Sequence, residues 1–600
     1  MYIRKTTHTD RRNRKTYHTF KLIESVRTQR GPRQRMLLNL GADFSLPEEQ
    51  WKELANRIEE LLTGQDPLFA YSEEIEVLAE RYARKVIHYQ GKESQDRGEG
   101  APDYQRVDVD SIDHVLSRTV GAEHVVHEMI KALGLHGFMM ELGIDKASTD
   151  LAMGVIAARC IAPSSERSAH RWLQELSGMG ELLGADFSDL SLDRVYRVSD
   201  RLIRHRDAIE GHLRDRERHL FNLEEQVILY DLTNTFFEGS GRYNGKARFG
   251  PSKEKRSDCP LVALGLVLDA DGFPKRTRVF EGNVGEAVTL RGMIEALSFA
   301  EEVIKPLVVM DAGIGTQENI AWLRQQGFGY IVVSRKRGID VPQEMVTVRD
   351  DARRRISAAF IAGPDEGEVT LCCHSTDKEA KERGIKNRFQ DRLEQELEKI
   401  RDGLQKKGCI KRYDRVMEKI GRLRERYKRV SGRYTIEVTK DEKTNCASSV
   451  TWERKEAERP AGFYALRSNR ADLTEQAFFD IFTMLTDIED AFRAMKSTLG
   501  LRPVYHQTEF RTEGHLFITV LAYHILQTMR VRLRRQGIDD SWSTIRAGLS
   551  SHMRCTVTME RDDGKMIHVR RSGRPEPYHR KIYDALGLSH RPGKTVKAVL

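Results

Sequence analysis

Val227-Ile228-Leu229-Tyr230-Asp231-Leu232-Thr233 is a short apolar run with one carboxylate set into it. A run of this length reads as a strand buried on both faces, where an Asp is costly unless it pairs or binds a metal. An Asp that closes a strand and caps the next turn is the plainer alternative, so the partners decide. Pro306-Leu307-Val308-Val309-Met310-Asp311-Ala312-Gly313 is a second apolar strand ending in Asp. Ile488-Glu489-Asp490-Ala491-Phe492-Arg493-Ala494-Met495-Lys496 reads as a helix, with Leu485, Glu489, Phe492 and Lys496 along one face and Arg493 one turn beyond Glu489. Three carboxylates from two strands and a helix can hold two hard divalent cations and leave positions for substrate oxygens.

Around the first acid, Leu261 to Leu268 and Arg276 to Phe280 flank Asp269-Ala270-Asp271-Gly272, a hairpin pattern. A helix at Thr289 to Ala300, the strand ending at Asp311, a helix at Gln317 to Gln326 and a strand at Gly329 to Val333 follow. The order strand, strand, strand, helix, strand predicts an α/β, ribonuclease-H-like catalytic core over 221–339 and 471–535. Between its halves, 340–470 reads as a mixed insertion domain. Leu393, Leu397, Ile400 and Leu404, then Tyr413, Val416, Met417, Ile420, Leu423 and Tyr427, form two helical stripes, and strands are expected at Tyr434 to Val438, Val450 to Trp452 and Phe463 to Leu466.

Upstream, 111–220 reads as a helical domain, with stripes such as Val125, Met129 and Ile130, or Val195, Val198 and Leu202. His114, His124, His127 and His136 lack the spacing and third ligand of a metal site. Residues 91–110 read as a linker, centred on the polar stretch Gly91 to Gln105. Residues 1–90 combine short strands, with Phe20, Leu22 and Val26 on one side, and a helix from Pro47 to Thr63 with a Ser45–Glu48 capping box. Residues 536–600 form a C-terminal region.

The formal net charge is +9, and residues 1–35 hold eleven Lys/Arg against two Asp/Glu, so the entire excess sits in one arm. Such an arm suits an acidic partner such as DNA, because each cation on a phosphate releases counterions. Arg11, Arg12, Arg14 and Lys15 are its densest cluster. The seven cysteines are scattered, without a CxxC pair, and read as reduced thiols of a cytoplasmic protein. The apolar stretch Leu516 to Met529 is too short for a membrane span.

In this order and spread, Tyr230 to Gly239, Gly250-Pro251-Ser252-Lys253, Phe280-Glu281-Gly282-Asn283, Asp311-Ala312-Gly313 and Ile488 to His506 resemble the DDE transposases of bacterial insertion sequences. Glu489 and Lys496 match the Glu-x6-Lys part of the signature of the IS-four superfamily, whereas Phe482 and Leu485 stand where that signature has Tyr and Arg. Those two positions assist DNA-end handling in relatives that release the element through a hairpin intermediate.

The resemblance implies a DNA transposase that binds the terminal inverted repeats of its element and catalyses metal-dependent cleavage and strand transfer. Asp231, Asp311 and Glu489 would be the catalytic, metal-holding trio, with Mg²⁺ or, in its place, Mn²⁺. Lys496 and Arg493, and after them Lys253 and Arg256, would contact DNA. The implied partners are double-stranded DNA, at the repeats and the target, and a second copy in a paired-end homodimer. The implied location is the cytoplasm, on the nucleoid. Three rival readings are a structure-selective nuclease of the same fold, a non-catalytic repressor derived from a transposase, and a structural protein whose acids merely close ion pairs.

Overall fold

The computed structural model describes the chain except for residues 10–15, 29–30, 43, 66, 68–69, 96–102, 224–225, 252–255, 298–304, 335–340, 352–353 and 456–460. At the N-terminus, β1 (Tyr2–Thr9), β2 (Thr16–Thr28) and β3 (Gly31–Gly41) form an antiparallel sheet in chain order. Helices Trp51–Thr63 and Glu73–Gln95 cover it through Leu22, Leu38, Leu54, Ile58 and Val86. The expected one-sided stripe on β2 is broken. Leu22 and Ile23 are both buried while Val26 is 36% exposed, because register shifts at Phe20/Lys21 and Leu22/Ile23 interrupt the period of two. The Ser45–Glu48 capping box does not form: the chain enters through a 3-10 turn, Glu48–Gln50, capped by Pro47 without a side-chain hydrogen bond. Helix Glu73–Gln95 also extends into the stretch read as a linker.

β4 (Asp113–Thr119) precedes the helices Gly121–Ala132, Lys146–Ile161, Leu192–Arg204 and Arg206–Phe221. Their predicted apolar stripes are buried and share one core with the long helix Glu509–Arg535 and one face of the central sheet. Two buried carboxylates fasten this layer. The Thr277 amide donates to Glu210 at 3.0 Å, and His524 Nδ1 lies 2.6 Å from Glu217 Oε1.

The central sheet starts with β5 (Val227–Phe236), β6 (Leu261–Asp269), β7 (Pro274–Glu281), β8 (Leu307–Met310) and β9 (Gly329–Val333). It continues through β10 (Val346–Asp351), β11 (Arg354–Ala362) and β12 (Val369–Ser375); the hairpin β13 (Tyr434–Asp441) and β14 (Cys446–Arg454) stands apart, and β15 (Phe463–Ser468) returns to the sheet. The nine-strand order is β10-β11-β12-β15-β9-β8-β5-β6-β7. β5 runs parallel to β8 and β8 to β9, and the remaining pairs are antiparallel. This is a mixed α/β protein with a ribonuclease-H-like core. Residues 340–470 accordingly contribute two things. Four strands widen the core sheet, while the helices Thr376–Gln405 and Tyr413–Arg426 pack with β13–β14 around a separate core of Leu393, Leu397, Ile420 and Val450.

β16 (Met553–Glu560), β17 (Met566–Ser572) and β18 (Val596–Val599) pair with β4 in the order β18-β17-β16-β4. β4 was not foreseen in a stretch read as helical. It is held by a strand more than four hundred residues away, a non-local pairing that leaves little local signal. No helix among the described residues is long and apolar enough to cross a membrane.

Candidate active site

Strand alternation decides what the two faces of the core carry. Ile228, Tyr230, Val308 and Met310 pack beneath helices Glu286–Glu295 and Gln317–Gln325, whereas Leu229 and Val309 face the core that contains Ile488, Phe492 and the long helix. The β5–β8 register pairs Tyr230 with Met310, so Asp231 and Asp311 are the next residues along two adjacent parallel strands. Both are half-buried. Helix Leu485–Arg493 packs against β5, with Ile488 and Phe492 buried and Glu489 exposed beside them.

The loop after β8 holds Asp311 by its own backbone. Gly313 and Ile314 donate to Oδ1 at 2.7 and 3.0 Å, which leaves Oδ2 for another ligand. Asp231 Oδ1 accepts from the Leu232 amide at 2.7 Å. Beyond Glu489, the segment that ends in Val504 is laid along the end of β5: Val504 donates to Phe236 O and the Glu238 amide donates to Val504 O, each at 2.9 Å.

The helical ridge expected through Lys496 is not continuous α-helix. Ala494–Thr498 is a π turn, with Leu499 donating back to Ala494 O at 3.0 Å, and Lys496 sits within it, half-buried. A π turn advances fewer degrees per residue, so Lys496 departs from the line that an α-helix draws through Glu489. Arg493 is turned elsewhere. It pairs with Asp490 at 2.9 Å and lines a cleft with Asp487, Arg530 and Arg534, to which none of the three acids contributes. Arg256 forks onto Asp258 with two bonds of 2.8 Å and lies over the Phe236 ring at 4.5 Å, at the end of β5. Lys253, Arg11, Arg12, Arg14 and Lys15 fall outside the described residues.

Glu286 is a residue that the sequence reading missed. A Cβ at Gly313 would stand 2.6 Å from Glu286 Oε2 and 3.1 and 3.4 Å from the two Asp311 oxygens, so both carboxylates border the same point. Burial pushes the Tyr230 phenol far up, and the charges of Asp231 and Glu286 push the same way against its hydrogen bond to Thr289. The available signal was topological: β7 runs in the direction of β5, so a helix starting just after β7 begins at the edge where Asp231 lies.

All the oxygen donors here suit a hard divalent cation, and Asp311 retains an uncommitted oxygen. The trio does not close into a single-ion cage: among the described residues the one group of three ligand atoms within 4.8 Å of one another is Glu166, His506 and His515. Wider spacing suits two ions about 3.5–4 Å apart. The Glu166 group is a hydrogen-bonded network. His506 Nε2 and His515 Nδ1 lie 2.9 and 2.7 Å from Glu166 Oε1, and the Arg159 guanidinium stands 3.7 Å from the same carboxylate and donates to Gly500 O at 3.1 Å.

Strand order defines a ribonuclease-H-like core, with Asp231 and Asp311 side by side just beyond the paired ends of two parallel strands. Residues 223–525, half of the chain, match the family described as Transposase DDE domain, and the chain belongs to that family. Membership implies a metal-dependent activity on DNA. No curated protein matches the chain.

Proposed function

We propose that the protein is the transposase of an insertion sequence of the IS-four superfamily, binding its element's terminal inverted repeats and catalysing their cleavage and transfer. The observation that carries this reading is the β5–β8 pairing, which sets Asp231 beside Asp311 with the Glu489 helix packed on the same strand, all within the matched region. Asp231, Asp311 and Glu489 would hold Mg²⁺, or Mn²⁺ in its place. Bound there, the cations would supply Lewis acidity and neutralise charge developing on the phosphate.

The chain's own groups orient the reaction. The Gly313 and Ile314 amides fix Asp311, Lys496 offers a cation to the phosphodiester, and the 501–504 segment keeps its turn against β5. Cleavage leaves a 3′-hydroxyl at the element's end. Transfer then exchanges one phosphodiester bond for another, so no ATP is needed. Phe482, which packs near Tyr464, and the half-buried Leu485 offer no hydrogen-bonding side chain, which favours excision without a hairpin. Residues 1–220 supply end recognition, and two copies pair the two ends.

The test is a Mg²⁺-dependent cleavage and joining assay on DNA bearing the element's flanking repeats. Wild type is expected to cut and join, and a folded Asp311→Asn variant to bind the repeats with at least a thousandfold less cutting, on the order of the loss when a group acting only in the transition state is removed. Undiminished cutting by Asp311→Asn would exclude this active site.

A further inference from the structure

Helix Glu286–Glu295 lies on the face of the sheet opposite the Glu489 helix, and its first residue reaches the edge where the strand acids emerge. Two fasteners hold it there. From β5, the Tyr230 hydroxyl lies 2.6 Å from Thr289 Oγ1, which itself donates to the Glu286 carbonyl at 2.6 Å; Tyr230 is therefore the donor in the first bond. From the loop after β8, the buried Asn319 amide spans the gap, donating to Ala287 O at 2.7 Å and to Ile314 O at 2.9 Å. Tyr230 and Ile314 are immediate neighbours of, or hydrogen-bonded to, Asp231 and Asp311.

The fasteners engage backbone and neighbours, and the Glu286 carboxylate itself has no hydrogen bond or ion pair among the described residues. Two carboxylates facing one point without a countercharge repel each other, and inside a half-buried edge solvent screens that repulsion incompletely. The arrangement is held in place by specific bonds on both sides rather than relaxed outward. Gly313 contributes as well, since any side chain there would enter the space between the two carboxylates.

We propose that Glu286 is a fourth carboxylate of the cation site, coordinating directly or through a bound water and approaching from the face opposite Glu489. The inference rests on the reading of Asp231 and Asp311 as cation-holding residues. Under it, Asn319 and Thr289 are positioning residues that set the distance between Glu286 and the Asp311 loop.

The experiment titrates Mn²⁺ into the full chain without DNA and counts bound ions by electron paramagnetic resonance, comparing wild type, Glu286→Gln and Asp311→Asn. Glu286→Gln keeps size and removes a repulsive charge, so it is expected to fold with undiminished thermal stability. Its Mn²⁺ affinity is expected to drop roughly 10- to 100-fold, the range seen when groups supporting a metal site are removed. Glu286→Asp, which keeps the charge on a shorter stem, should fall between. If Glu286→Gln binds as wild type while Asp311→Asn loses binding, the fourth carboxylate is refuted and the acidic site stands. If wild type binds no Mn²⁺, or Asp311→Asn binds as wild type, the site itself is refuted and the role of Glu286 falls with it.

Discussion

The fold contains two gatherings of carboxylates that are satisfied in opposite ways. Glu166 is 5% exposed and closed in by His506, His515 and Arg159, all from the protein. At the edge of β5 and β8, Asp311 takes its hydrogen bonds from backbone amides, and Glu286 and Glu489 have no hydrogen bond or ion pair among the described residues. The first group is a finished network that ties the end of helix Lys146–Ile161 to the segment following Lys496. The second leaves the Glu286 and Glu489 charges without a paired cation among the described residues, an arrangement open to a ligand that is positive. Under the proposed function, the difference separates a carboxylate used for architecture from one kept for chemistry, although both β5 and Glu166 hydrogen-bond to the same segment, 500–506.

The largest effect expected from this contrast is on stability. Glu166→Ala leaves Arg159 buried beside two histidines and should lower unfolding free energy by about 3–5 kcal/mol, the usual result of breaking a buried ion pair. Asp311→Asn should stay within about 1 kcal/mol of wild type, since the amide oxygen still accepts from Gly313 and Ile314. Urea unfolding of both variants at neutral pH checks this. Equal losses would mean that Asp311 is a structural residue and that the contrast is empty.

Acid should act on the first group. Burial, helped by the Arg159 charge, holds the His515 imidazole down at about 4, against the attraction of Glu166. Between about 6.5, where an unfolded histidine titrates, and about 4, the unfolded chain therefore binds more protons, and stability falls as pH is lowered through that window. Burial alone would raise Glu166, but His515 and His506 hold it well below the carboxylate range. Its contribution is present above the ordinary carboxylate pKa and is lost as pH drops further, with the same sign. Unfolding midpoints measured from pH 7 to 4 should fall, and fall equally in Asp311→Asn. A flat profile would show that this network is not what acid attacks.

Which parts were legible follows from the same physics. Asp231 and Asp311 stood out because a charged residue inside a run buried on both faces is conspicuous in one dimension. Val195, Val198 and Leu202 announced their helix because its apolar stripe is complete within a few turns. β10, β11 and β12 were missed: burial in β10 and β11 is partial and irregular, and the three are strands because β15, itself paired with β9, offers β12 an edge. Glu286 was hidden for a related reason. Nothing local distinguishes a glutamate in a first helical turn, where it is common, and only strand direction brings it to the acids. The π turn at Ala494 likewise cannot be read from side-chain spacing, which led the ridge through Lys496 to be drawn too straight.

The smallest effect concerns that ridge. The π turn moves Lys496 off the line through Glu489, whereas Arg493, the last residue of the α-helix before that turn, lies in the cleft with Asp487, Arg530 and Arg534. Its pair with Asp490 is exposed on both sides, and such pairs contribute about 0–1 kcal/mol. Arg493→Ala is therefore expected to leave stability within about 0.5 kcal/mol and repeat-end binding within about twofold, whereas Lys496→Ala, by removing a phosphate contact, should weaken binding uniformly across sequences and shallow its salt dependence by about one ion. Fluorescence-anisotropy titrations at several salt concentrations separate the two. Should Arg493→Ala alter the salt slope as much as Lys496→Ala, the cleft beside Arg530 and Arg534 is itself part of the DNA path, and the basic surface extends from the acids around the end of the long helix.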